Sequence, residues 1–260
     1  MIHTLEFEIP QLTPYINWIY FYHAWGVKAA EAESLKTQAL HKLREWHQAG
    51  HTTKFRVGLF SANSQDEDII ILDHAGHTHT HIPLLRQQRP PYLCLADFLP
   101  PRGMQPHTIG IFASTTHIPA DTLLEQTLAD RLAEATAELG HKHTRTTLWG
   151  YAPHEDLTPQ DLFKERYQGK RPAVGYPSMP DQSLNFVLSQ LIDFTSIDIT
   201  LTETGAMIPH ASTTGMMISH PQARHFAVGP ISEEQLRDYA RRRNMSPEEA
   251  RINLGLIINN

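Results

Sequence analysis

Apolar residues return at helical spacing in two long stretches of the chain. Ala32, Leu35, Ala39, Leu43 and Trp46 share one face and Gly50 closes the pattern, which predicts a helix ending just before that glycine. Leu124, Leu128, Leu132, Ala135 and Leu139 form a second stripe and predict a helix from about Asp121 to Leu139. Between the two, the pattern is that of β-structure. TKFRVGLF (53–60), DIIIL (68–72), THTHIPLL (78–85), YLCLADFL (92–99) and TIGIFAST (108–115) are rich in β-formers and separated by polar turns, so each is predicted to be a strand.

The second half is marked by caps. Thr158-Pro159 places a cap before proline at the first helical position, with the helix expected to end near Gly169. Asp181 reads as the cap of a helix carrying Leu184, Val187, Leu188 and Leu191. ITLTET (199–204) and HFAVG (225–229) are strand-like, and Ser232…Gln235 and Ser246…Glu249 are capping boxes. Helices and strands mix without a βαβ rhythm, which predicts an α+β fold on a largely antiparallel sheet. No repeat or long linker divides the chain, so residues 1–260 are expected to form a single domain.

Charge and composition narrow the function classes. A formal net charge of −6 carries no basic signal for nucleic acid. The longest apolar run, Ile16 to Val27, is too short to span a bilayer and holds Asn17 and His23; the first residues lack the pattern of a signal peptide. A soluble cytoplasmic protein, with neither nucleic-acid nor membrane partner, is the expectation. The single cysteine, Cys94, excludes an internal disulfide and reads as an inert thiol on a buried strand. Seventeen histidines raise a metal reading, with His77, His79 and His81 on one face of a strand. No Cys or acidic partner follows at a ligand spacing, and a solvent-facing strand beside a turn explains the run as well, so no metal is expected. GxGxxG, Walker A, GxSxG and HExxH motifs do not occur.

Two places could carry chemistry. Asp130 and Glu134 stand four apart on the second long helix, so both carboxylates project the same way; a solvated face beside Arg131 is the plain alternative. RPAVGYP (171–177) is the other. Pro172 and Pro177 hold an extended path, and Gly175 permits close approach or an unusual φ. Arg171 offers a planar fork for a carboxylate, and Tyr176 a ring face and a hydroxyl. These residues suit an amino-acid-like, cationic ligand, and they equally suit a rigid turn.

The chain resembles the activation domain of cobalamin-dependent methionine synthase. The resemblance rests on WGYAPHEDL (149–157), YQGKRPAVGYPSMPD (167–181), LTETGAMIPHAS (201–212), SHP (219–221) and FAV (226–228), with YINW (15–18), LLRQQ (84–88), YLCLADF (92–98) and LADRLAE (128–134) upstream. It implies a C-shaped α+β domain with a twisted, mainly antiparallel sheet. It implies a domain that binds S-adenosylmethionine and docks on a cobalamin-bearing methionine synthase polypeptide. Oxidised cobalamin is there returned to methylcobalamin, with a flavodoxin-type donor supplying one electron. S-adenosylmethionine contacts are implied at Asn17, Arg171, Ala173, Tyr176, Met217 and Ile218. Asp130, Glu134, Gly175 and Pro177 are implied to face or support the cobalamin, with no residue assigned classical acid–base or nucleophilic catalysis.

This chain departs from the family at two walls of that site. Asn17 stands where the family has an aspartate suited to the ligand's ammonium, a change worth roughly 1.5–3 kcal/mol if a charge-assisted bond is lost. Met216, Met217 and Ile218 replace a Trp-Tyr-Phe run whose tyrosine and phenylalanine contact the ligand. The cobalamin-ligand signature DxHxxG is absent from the sequence. The expectation is therefore a reactivation subunit acting in trans, as part of a methyltransferase rather than a complete enzyme. The alternative is a docking module with S-adenosylmethionine binding weakened or lost.

Overall fold

The structure, a computed structural model, describes residues 1–26 and 29–255. β1 (Ile2–Glu8) leads into α1 (Ile9–Leu12), α2 (Trp18–Trp25) and α3 (Ala29–Gln48). β2 (Thr52–Gln65), β3 (Asp68–Leu72), β4 (Thr78–Pro83) and β5 (His107–Thr116) follow, then α4 (Leu123–His143), α5 (Pro159–Phe163) and α6 (Leu184–Ile192). Short strands β6 (Thr200–Leu201) and β7 (Met207–Ile208) precede β8 (Ser212–Met217), and α7 (Glu233–Arg242) and α8 (Pro247–Leu254) come last.

The fold is α+β, and its main sheet is antiparallel, in the order β4-β3-β2-β5-β8. β2 is long because two strands share one of its edges. β1 pairs its first half, Glu8↔Thr52 to Ile2↔Gly58, and β3 its second, Ser61↔Leu72 to Gln65↔Asp68. The period-2 alternation of side chains then divides the core. Ile109, Ile111, Ala113 and Met216 face Leu188, Leu191 and Ile192 of α6. Phe112 and Met217 face the opposite way, with Phe55, Val57 and Ala137 of α4. Leu12, Phe21, Leu43, Leu128 and Leu132 join the N-terminal helices to α4.

Several local expectations are corrected. YLCLADFL is not a strand: Asp97 accepts the Cys94 N–H at 2.8 Å and starts a 3-10 turn, Leu95–Phe98. Arg86 grips the same carboxylate at 2.7 and 2.9 Å, which pins the turn. Cys94 is nonetheless buried, and burial pushes its thiol up to about 12. HFAVG forms no strand, and ITLTET is a strand only at Thr200–Leu201. α5 stops at Phe163 rather than near Gly169. Ser183, not Asp181, precedes α6. Asp181 is instead a buried acceptor for the Ser183 N–H and hydroxyl at 2.8 and 2.6 Å and for the Tyr239 hydroxyl at 2.6 Å.

β1 and β8 are strands that periodicity did not predict. β8 reads STTGMM, whose small polar residues hide the alternation, and it is a strand because β5 pairs with it. His77 lies in the turn before β4, near Asp73, so only His79 and His81 alternate on that strand's exposed side. Of the apolar run from Ile16, Trp18–Trp25 is α2 and Val27 lies outside the described residues. No described helix is long and apolar enough to cross a membrane.

Candidate functional site

RPAVGYP is held against β8 as a short extra strand. The Lys170 and Ile218 N–H groups exchange bonds with each other's carbonyls at 2.8 and 2.9 Å. The Met216 N–H donates to the Pro172 carbonyl and the Val174 N–H to the Thr214 carbonyl, both at 2.9 Å. Proline is tolerated because its missing donor is not asked for; only its carbonyl pairs. The approach is so close that a Cβ on Gly215 would sit 2.2 Å from the Pro172 oxygen. Gly175, at φ +85°, then turns the chain, and its N–H donates to the Met179 carbonyl at 2.8 Å.

This strip floors a cavity of about 710 Å3. Arg171, Ala173, Tyr176 and Pro177 come from the strip; Tyr15, Asn17 and Tyr20 from the N-terminal helices; Arg131, Glu134 and Glu138 from α4. The remaining wall is made by Phe163, Glu165 and Tyr167 and by His225, Phe226 and Ala227. Tyr20 and Tyr176 line it yet stay 61% and 52% exposed, which places them at its mouth.

Local forces fix the polar groups. Asn17 occupies the N-cap of α2, but its side chain makes no capping bond and stands in the cavity wall. Arg171 is largely buried, stacks over Phe112 at 5.4 Å, and donates from Nη2 to Glu138 Oε2 at 3.2 Å. Burial opposes its charge, but Glu138 and Glu134 beside it more than offset that and raise its pKa. The Tyr176 hydroxyl donates to Glu134 Oε1 at 3.1 Å; the Glu134 charge, then burial, push that phenol up to about 12. Glu165 lies 3.3 Å from His225 Nε2 and 3.2 Å from Lys170 Nζ. Burial holds His225 below its usual pKa although Glu165 pulls the other way.

Asn17, Glu134, Arg171, Ala173, Tyr176 and Pro177 are thus brought around one cavity. Asp130, Gly175, Met217 and Ile218 do not line it. Asp130 shares a helix face with Glu134 but falls outside the cavity lining. At 3.6 residues per turn it lies about 40° beyond Glu134, away from Arg131 and Glu138, and Oδ1 is 3.4 Å from His210 Nδ1. Met217 and Ile218 are buried in the two core layers and reach the site only through the β8 backbone that holds the strip. Sequence reasoning missed Tyr15, Tyr20, Glu138, Glu165, Tyr167 and His225 as site residues. Glu138 had a signal, standing four after Glu134 and seven after Arg131 on one face. The others are joined by tertiary contact alone.

A buried layer supports the Tyr167 wall. Arg145 covers its ring at 4.1 Å and forms a two-bond pair with Glu155 at 2.8 and 2.7 Å. His141 meets its edge at 5.0 Å, and both its ring nitrogens are buried without partners. Burial, then the charges of Arg145 and Arg171, hold that imidazole well below its ordinary pKa. Below the unfolded value the unfolded chain binds the proton and the folded chain does not, so stability falls as pH drops through about 6.5. Between about pH 7 and 5.5 this one group removes about 1 kcal/mol. Urea unfolding at the two pH values is expected to show that increment in the native chain and not in His141→Gln.

The comparisons with known proteins agree with this fold. The family model for the vitamin B12 dependent methionine synthase activation domain matches residues 8–244. Among solved structures, the MetH reactivation domain bound to AdoHcy superposes with a TM-score of 0.93 at 33% sequence identity, covering 100% of this chain and 91% of that one. The chain belongs to the family of vitamin B12-dependent methionine synthase activation domains.

Proposed function

We propose that the cavity binds S-adenosylmethionine and presents its methyl group to a cobalamin carried by a separate methionine synthase polypeptide, with a flavodoxin-type protein as the electron donor. The observation that carries this reading is the convergence of Asn17, Glu134, Arg171, Ala173, Tyr176 and Pro177 on one cavity from three separate parts of the chain. Its volume lies within the range of about 300–1,000 Å3 typical of small-molecule sites. Three carboxylates (Glu134, Glu138, Glu165) against two guanidiniums (Arg131, Arg171) leave the wall net negative when His225 is neutral, which favours a ligand of net charge +1. S-adenosylmethionine is such a ligand and supplies a methyl group already activated on a sulfonium.

The chain's own part is placement rather than acid–base chemistry. Arg171 turns a planar fork to the ligand's carboxylate. The Asn17 amide oxygen accepts from its ammonium. Tyr15, Tyr20, Tyr167 and Phe226 offer ring faces, replacing stacking that Met217 and Ile218 do not provide. Tyr176, tied to Glu134 at the mouth, stands where the methyl group must leave, and the exposed Tyr20 and Tyr176 rings suit docking of a corrinoid protein.

Titration calorimetry with S-adenosylmethionine tests the reading: micromolar binding supports it, and no heat up to millimolar ligand favours the alternative, a docking module without that ligand. A pull-down with a cobalamin-bearing synthase tests the partner; no complex under reducing or oxidising conditions overturns it. Asn17→Asp is expected to tighten ligand binding about tenfold, because a neutral acceptor for an ammonium becomes a charged one. Titrating both proteins at one ionic strength checks it.

A further inference from the structure

We infer that Glu138 is a positioning residue for ligand recognition: it aims Arg171 at the amino-acid end of the ligand. The inference rests on the proposal that the cavity takes an adenosyl amino acid.

Two largely buried arginine–carboxylate pairs stand near this wall, and they differ in a telling way. Arg145 spends two nitrogens of its fork on Glu155, through Nε to Oε2 and Nη2 to Oε1. Such a pair is bidentate: both Glu155 oxygens are engaged, and only Arg145 Nη1 is left buried without a partner. Arg171 and Glu138 share a single contact, Nη2 to Oε2 at 3.2 Å. Arg171 Nε and Glu138 Oε1 are buried without partners, and Nη1 donates to no acceptor among the described residues. Buried polar atoms left open are rare, and each needs a reason.

Aim explains the cost. Glu138 approaches from α4, one turn beyond Glu134, while Phe112 supports the guanidinium from the sheet. Held by one corner over that ring, the guanidinium keeps a fork in the cavity wall. A bidentate Glu138 would consume the fork. Without Glu138 the fork would lose its anchor on α4. Glu138 also opposes the burial of the guanidinium charge, so Arg171 stays cationic although it is largely buried.

The test compares ligands with and without the amino-acid tail. Affinities for S-adenosylhomocysteine and for 5′-methylthioadenosine are measured by calorimetry for the native chain, Glu138→Gln, Arg171→Gln and the double variant. Glu138→Gln keeps the shape and removes the charge. It is expected to weaken S-adenosylhomocysteine at least about tenfold and methylthioadenosine by less than about twofold. The double variant is expected to bind no more weakly than Arg171→Gln, since Glu138 acts through Arg171. Equal weakening of both ligands, unchanged S-adenosylhomocysteine binding, or additive losses in the double variant each overturn the inference. If the native chain binds neither ligand, the reading of the cavity falls first and this one with it, an outcome distinct from a failure confined to Glu138.

Discussion

Arg171→Ala is expected to lose S-adenosylmethionine binding by about 100-fold or more and to destabilise the fold by about 3–5 kcal/mol. Both effects come from one side chain. A charge-assisted contact to the ligand carboxylate contributes about 1.5–3 kcal/mol, and the lost orientation adds to it. The stability loss arises because Glu138, largely buried beside Arg171, is left as an unpaired charge; its Oε1 already lacks a partner. Calorimetry and urea unfolding on the same preparation separate the two. Arg171→Lys keeps a cation near Glu138 but loses the planar fork. It is expected to stay folded at pH 7 and still bind at least about tenfold more weakly. Native affinity in the lysine variant would show that only charge matters there and would sink the fork.

Gly215→Ala is the second large effect, and no cavity residue is replaced. The new Cβ would stand 2.2 Å from the Pro172 oxygen, 2.8 Å from Ala173 Cα and 2.9 Å from the Phe112 ring. Backbone cannot yield as a side-chain tip does, so the strip must lift from β8. The Met216 N–H bond to Pro172 and the Val174 N–H bond to Thr214 are the ones expected to open. β5 keeps its other partner, β2, so the sheet survives. Overpacking of this kind costs about 1–3 kcal/mol. The ligand loss is expected to be larger, at least about 100-fold, because Arg171 and Ala173 ride on the displaced strip. Hydrogen exchange gives the decisive pattern: faster exchange at Met216 and Val174 with protection kept at β2 and β5. Uniform loss of protection would mean that the whole fold had failed instead.

The long helices were legible because their stabilising pattern is local. Leu124 to Leu139 repeats within α4 itself, and Thr158 and Ser246 cap helices through residues three positions away. β3 and β5 were legible for the same reason, as short β-rich runs bounded by turns. Asp130 shows the limit. Its spacing from Glu134 was read correctly, yet the cavity is met by the neighbouring arc of α4, through Arg131, Glu134 and Glu138. Helical spacing says which residues are neighbours; it does not say where the cavity lies.

Met216 and Met217 make the same point in a strand. Read in sequence, they looked like a changed ligand wall. Their backbone pairing with β5 sends one side chain to each core layer, and neither lines the cavity. The aromatic residues that line it include Tyr15 and Tyr20 near the start of the chain and Tyr167 and Phe226 far beyond them. By itself the sequence determined the α+β class, the two long helices and most caps, and through its resemblance it singled out RPAVGYP. Only the tertiary structure decided that this strip bridges to β8, that Glu138 pairs with Arg171, and that Tyr167 and His225 belong to the same wall. Helix periods and caps are written in contacts within a turn or two. The cavity is written in backbone pairing and packing between residues more than thirty positions apart, and no local pattern carries that information.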